Sequence, residues 1–236
     1  SATSPIAHAG STERIEAFIT GLCAVSADEY VTTVADAAGL AVYGLDAPRR
    51  LIAAFQDGTI RDIHLGSDAG DGMVYARMDR TGDIYRIRRT QLTFAESAGL
   101  NTLLDRFVSP VVVATLSQMR VTTVDGETTL RIEYENGDDN IGQRWFRDEN
   151  AVTRDEFTDA YLSIIALQFD QTAPQEAAGT SLLADVTFTL RDGSTSTVRY
   201  EACDAFYALV TTDGGGRFLV RLTDVENMLT VLKGEK

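Results

Sequence analysis

The chain has 236 residues, 44% hydrophobic and 24% charged, a composition that supports a folded core and excludes disorder, collagen, a coiled coil and a disulfide-dense scaffold. Its formal charge is −14 and its pI about 4.5, so its surface repels phosphate backbones and argues against a nucleic-acid partner. No apolar run approaches the roughly 20 residues of a membrane-spanning helix.

Residues 1–10 form a loose stretch of small residues containing His8, read as a disordered segment or linker. The opening Ser1-Ala-Thr-Ser-Pro5 carries no initiator methionine and reads as a chain trimmed after a signal or anchor. Thr12–Val25 has apolar residues at helical spacing (Ile15, Phe18, Ile19, Leu22) with Ser11 or Thr12 as N-cap. A strand then runs into Asp57-Gly58, and further strands hold Val74-Tyr75 and Ile84-Tyr85. Phe94–Leu104 closes this set as a helix.

The same order returns later. A helix over Thr153–Gln168, with Phe157, Tyr161, Ile164 and Ile165 on one face, precedes Ala184–Leu190, which runs into Asp192-Gly193. The Asp-Gly turns lie 135 residues apart, Tyr75 and Tyr207 are 132 apart, and Arg88 and Arg221 are 133 apart. Thr223-Asp-Val-Glu226 has the capping-box pattern ahead of Met228, Leu229 and Leu232. Between the copies, Met119–Val124, the turn Asp125-Gly126 and Thr129–Glu135 form a hairpin with Leu130, Ile132 and Tyr134 on one face. In the second copy Val186, Phe188 and Leu190 oppose Thr187 and Thr189, so one sheet face is buried and the other wet, as in antiparallel sheets. The expected fold is therefore α+β: two related units of antiparallel sheet with flanking helices, an internal duplication. The units span 11–105 and 151–236 and are joined by a hairpin segment over 106–150.

Tyr43-Gly44-Leu45-Asp46-Ala47-Pro48 is followed by a strand, Asp57-Gly58, Leu65-Gly66, Gly72-Met-Val-Tyr75-Ala-Arg77 and Ile84-Tyr85. This order resembles the DUF4340 family, a bacterial domain of unknown function, closely over about residues 26–105 and more loosely over 106–236. The resemblance implies an extracytoplasmic module, membrane-anchored or a lipoprotein in its full-length precursor, often found beside ABC-type transport components. It carries over no catalytic residue. Read physically, Gly44 permits a tight bend, Pro48 sets an extended entry to the strand, and Tyr75 and Tyr85 pack on a half-buried sheet.

Chemistry-bearing residues are sparse. His8 and His64 lack the spacing of a zinc site, and His64, between Ile63 and Leu65, should face solvent on a strand. Asp68-Ala-Gly-Asp71-Gly72 and Asn136-Gly-Asp138-Asp139-Asn140 read as turns, with weak or adventitious calcium binding as the other option, and Gly214-Gly215-Gly216 as a flexible hairpin. No metal or cofactor is expected. Cys23 and Cys203 read as separate buried thiols, with one long-range disulfide as the other option. Arg86, Arg88 and Arg89 form a basic cluster, read as a solvated face paired with local acids or as a contact for an anion or partner. If the two units pack side by side, a groove at their junction would hold the binding candidates Tyr43, Pro48 and Trp145, with Arg86 or Arg88 as polar anchors; the competing and favoured reading makes Tyr43 and Trp145 core residues at that joint.

The leading expectation is a non-enzymatic interaction module of a cell-envelope complex. Its partner would be an envelope protein, transporter components among them, and it would meet the membrane only through a tether outside this chain. The alternative is a hydrolase of an envelope polymer using paired carboxylates.

Overall fold

The structure, a computed structural model, describes residues 8–34, 36–78, 82–96, 98–134 and 142–234. It divides into two compact units, one over Gly10–Leu103 and the other combining Ser1–Ala9 with Leu104–Lys236.

In the first unit, α1 (Thr12–Ala24) is capped by Ser11, whose hydroxyl accepts the Arg14 N–H. Then come β1 (Glu29–Thr33), α2 (Ala37–Val42), β2 (Arg49–Ala54), β3 (Ile60–Gly70), β4 (Met73–Met78) and β5 (Asp83–Arg88). The strands form one antiparallel sheet in the order β1-β5-β4-β3-β2. Leu51, Ile63, Val74, Ala76 and Ile87 on its inner face pack with Leu22 and Val25, and with Leu92 and Ala95 after β5. The helix expected over Phe94–Leu104 is instead two single turns, α3 (Thr93–Glu96) and α4 (Leu100–Leu103). Gly99 starts the second turn, where the Thr102 hydroxyl both donates to its carbonyl and accepts its N–H.

The second unit contains β6 (Leu116–Thr123), β7 (Gly126–Tyr134), β8 (Gln143–Arg147) and β9 (Asn150–Val152), then α5 (Arg154–Ile165). There follow β10 (Gln171–Thr172), β11 (Ser181–Leu190), β12 (Thr195–Ala202), β13 (Tyr207–Thr212), β14 (Arg217–Arg221) and α6 (Leu222–Lys233). Its nine-stranded sheet runs β10-β14-β13-β12-β11-β6-β7-β8-β9. The segment 106–150 therefore does more than join two units: β6 pairs with β11, and β6–β9 extend the second sheet. Leu130, Ile132, Val186 and Phe188 are buried, while Thr187, Thr189 and Arg131 on the opposite face are half-buried. Thr153 and Glu156 form a full capping box at α5. The one expected at Thr223 does not form. Because the Leu222 N–H bonds the Phe206 carbonyl, α6 starts straight from β14 and places Thr223 inside the first turn.

The duplication reads directly from the register. The strand order β1-β5-β4-β3-β2 recurs as β10-β14-β13-β12-β11. Ile63 pairs with Leu51 and Met78, and Val198, 135 residues later, pairs with Val186 and Thr212. Ala76 opposes Leu65 as Val210 opposes Tyr200, so Tyr75 corresponds to Leu209 and not to Tyr207. The aromatic match at that strand is two residues out of register.

The hairpin turns agree to the individual bond. Phe55 N–H donates to Thr59 and Gly58 N–H to Phe55, while Leu190 N–H donates to Ser194 and Gly193 N–H to Leu190. Both glycines have φ near +85° (85° and 84°), the left-handed conformation such a turn requires. Gly215 repeats this arrangement between β13 and β14, giving a tight turn where the glycine run suggested looseness.

Other expectations are corrected at single residues. His8, expected in a loose tail, bonds the Asp105 carbonyl at 2.8 Å and lies 4.7 Å from the Phe218 ring; residues 1–7 lie outside the described residues. Both cysteines are free thiols and neither is buried: Cys203 is half-buried, and Cys23 is exposed, one position round α1 from Leu22, the buried residue of that helix.

Candidate functional site

Tyr43 to Pro48 joins α2 to β2. Gly44, at φ +67°, sends its N–H to the Ala41 carbonyl, and Leu45 sends its own to Leu40. This pair of bonds is a Schellman cap, and Leu45 after it is buried. The loop lies so close to β3 that Tyr43 accepts the Ser67 N–H at 2.8 Å, and a Cβ on Gly66 would sit 2.2 Å from the Tyr43 oxygen. The Tyr43 ring packs edge-on to Tyr75 at 5.0 Å, and Tyr75 stands opposite Arg86 on β5. The outer face of this sheet thus gathers Tyr43, Tyr75 and Arg86, while Pro48, half-buried, leads into β2. Trp145 lies in the other unit, tilted against Phe157 of α5 at 4.7 Å.

The polar row beside them is tightly bonded. Asp62, buried, takes Arg50 at 2.7 Å and His64 Nε2 at 3.1 Å, and the Arg77 guanidinium meets His64 Nδ1 at 3.1 Å. His64 lies on the face opposite Ile63 and Leu65, as the alternation requires, but its side chain is only 15% exposed because these partners enclose it. Arg50, the strongest influence, together with His64, holds the Asp62 carboxyl below the ordinary aspartate range.

The basic cluster is paired residue by residue. Arg86 bonds Glu29 and the Ala69 carbonyl, Arg88 bonds Asp28 at 2.6 Å, and Arg89 bonds Asp68 at 2.6 Å. Asp28 also accepts the Arg88 backbone N–H, the main cause of its lowered pKa. Asp71-Gly72, both at positive φ (54° and 71°), closes a two-residue hairpin between Gly70 and Met73. Asp68 is thus bonded to Arg89 within a hairpin, and among the described residues no group of three His, Cys, Asp or Glu side chains could hold a metal ion. The loop over 136–140 lies outside the described residues.

Two ion pairs correspond across the repeats. Asp28 donates its N–H to the Arg86 carbonyl and pairs with Arg88; Asp170 donates to Leu219 and pairs with Arg221 at 3.1 Å. The two aspartates precede equivalent edge strands, and the two arginines end equivalent strands. Each repeat therefore closes its edge with the same Asp–Arg clasp. Arg88 and Arg221 were aligned in the sequence, but their acidic partners sit about 50–60 residues upstream with no motif around them. Next to the second clasp, a groove of about 550 Å³ is lined by Phe206, Tyr207, Leu222, Thr223 and Glu226, with Phe206 76% exposed.

The family described as a domain of unknown function (DUF4340) matches residues 2–185. The chain belongs to this family. No curated protein and no solved structure matches it. The residues that carried the resemblance in the sequence have physical roles here: the Schellman cap at Gly44, the close approach at Gly66, the hairpins at Gly58 and Gly72, and the Tyr75 ring against Tyr43.

Proposed function

We propose that this DUF4340 chain is a non-enzymatic interaction module of a cell-envelope complex, on the extracytoplasmic side, tethered through a part of its precursor outside this chain. Its partners are envelope proteins, with ABC-type transport components the class to be sought first. The observation that supports this best is the commitment of its reactive groups to the scaffold. Both His64 nitrogens are bonded, and Arg50, Arg86, Arg88, Arg89 and Arg221 are each paired with a carboxylate. Such groups stiffen a surface for recognition, and binding energy then comes from exposed apolar and backbone groups around them.

The test uses the full precursor in a bacterial host, carrying a photo-cross-linking amino acid at the exposed Phe206 or Ile52 positions. The expected result is a discrete adduct with an envelope protein, and digestion of the domain by protease added to spheroplasts. Absence of any adduct at both positions, or protection from protease until the cytoplasmic membrane is lysed, would overturn the reading.

A further inference from the structure

The two repeats differ at one sheet edge. In the second repeat, the far side of β11 is occupied by β6, antiparallel, with Asp185 opposite Thr122, Thr187 opposite Arg120 and Thr189 opposite Gln118. By register, Arg50, Ile52 and Ala54 of β2 are the equivalents of Asp185, Thr187 and Thr189. In the first repeat the sheet ends at β2, and among the described residues no strand lies beyond it.

The backbone of β2 is oriented to accept one. Phe55 N–H bonds the Thr59 carbonyl at the hairpin, so every second residue back along the ladder (Ala53, Leu51, Arg49) bonds β3. Ala54, Ile52 and Arg50 then direct their N–H and C=O groups away from the sheet. These are the positions whose counterparts bond β6. Sheet edges are ordinarily blunted by proline, bulges or charged side chains, lysine above all. β2 contains no proline, bulge or lysine: its register with β3 is continuous, Ile52 at its centre is 50% exposed, and its two charged residues, Arg49 and Arg50, lie together at one end.

We infer that the β2 edge, Arg49–Ala54, binds an antiparallel strand of a partner protein. Apolar residues of that strand alternate beside Leu51 and Ala53, and a carboxylate stands opposite Arg50. The second repeat supplies the pattern. There β6 sets Val121 and Met119 beside Val186 and Phe188, the equivalents of Leu51 and Ala53. Local charge at this edge favours a carboxylate, because Arg50, although bonded to Asp62, keeps its side chain 49% exposed, and Arg49 stands next to it. A second copy would instead set one arginine-bearing edge against another. This rests on the interaction reading above and specifies its contact surface.

The test is a titration of the isotope-labelled full chain with a synthetic peptide of the β6 sequence, residues 116–123, bearing Thr122→Glu to place a carboxylate opposite Arg50. The expected result is saturable shifts at the amides of Arg50, Ile52 and Ala54, with binding about two- to fivefold tighter than the unsubstituted peptide at low salt. Methylating the peptide's alternate amide nitrogens should abolish binding. Ile52→Pro, at an outward-facing edge N–H, should abolish it as well; the methylated peptide decides the matter if that variant does not fold. Shifts confined to other residues, equal binding by the methylated peptide, or no shift up to about 1 mM peptide would overturn the inference. So would a dimer in sedimentation without peptide that Ile52→Pro dissolves, which would make a second copy the occupant. If the precursor's envelope cross-links survive Ile52→Pro, strand addition fails and the interaction reading stands; if the unmodified precursor makes no cross-link, the reading itself fails.

Discussion

At the scale of single residues, Tyr200 carries a buried polar atom that the fold does not compensate. It is fully buried on the core face of β12, its hydroxyl has no hydrogen-bond partner among the described residues, and burial raises its pKa well above the ordinary phenol value. A buried hydroxyl without a partner carries an uncompensated desolvation penalty of about 1–3 kcal/mol. Tyr200→Phe keeps the ring and removes that atom, so urea unfolding should show stability unchanged or higher; a loss above about 1 kcal/mol would mean the hydroxyl is bonded. Asp62 is the opposite case. Its carboxyl is buried but doubly bonded, and its folded-state pKa lies below 3.8. Its stabilising contribution is therefore present in full well above pH 3.8 and is lost as pH falls through the lower folded value. Asp62→Asn should be less stable than the parent at pH 7, and the gap should close on acidification below 3.8. A gap independent of pH would show that the ion pairs contribute nothing.

At the scale of elements, the Tyr43–Pro48 loop is held by close approach more than by side-chain chemistry. A Cβ at Gly66 collides with the Tyr43 carbonyl, which accepts the Ser67 N–H. Gly66→Ala should cost roughly 1–3 kcal/mol, as overpacking does elsewhere. It should also raise hydrogen exchange at the Ser67 amide; unchanged exchange there would show that the loop moves freely aside. The glycines and Asp-Gly pairs of this region were legible in the sequence because turns need particular φ values and few residues supply them. So was the alternation of Val186, Thr187, Phe188 and Thr189, since one face meets the core and the other meets water. Exposure was less legible. His64 alternates as a solvent-facing residue should, yet Asp62, Arg50 and Arg77 close around it. These partners come from three strands, and sequence spacing records neighbours along a strand far better than neighbours across one. The capping box at Thr223 failed for a related reason, because the tertiary bond from Leu222 to Phe206 set the helix start. Among the binding candidates, Tyr43 and Arg86 were brought to one face by Tyr75, a link that no local pattern expressed.

At the scale of the whole molecule, the repeated feature is the clasp and the differing feature is the far edge. Asp28–Arg88 and Asp170–Arg221 each tie the start of an edge strand to the end of its neighbour, just before the chain turns into a 3₁₀ turn or helix. The backbone bonds match too: Arg89 N–H to Gly72 in one repeat, Leu222 N–H to Phe206 in the other. The ion pair should therefore act locally and alike in both copies, limiting fraying of a short edge strand that has only one neighbour. The arginine side chains are more than half exposed, so their effect on global stability should be small. Native-state hydrogen exchange separates the two consequences. Arg88→Ala should speed exchange at the Asp28 amide and along β1, leaving Asp170 and β10 unchanged. Arg221→Ala should do the reverse, and in neither variant should the buried amides of β4 or β13 exchange faster. Acceleration spread over both sheets from a single substitution would show that the clasps act globally, and the correspondence between the repeats would then be one of shape without shared mechanics.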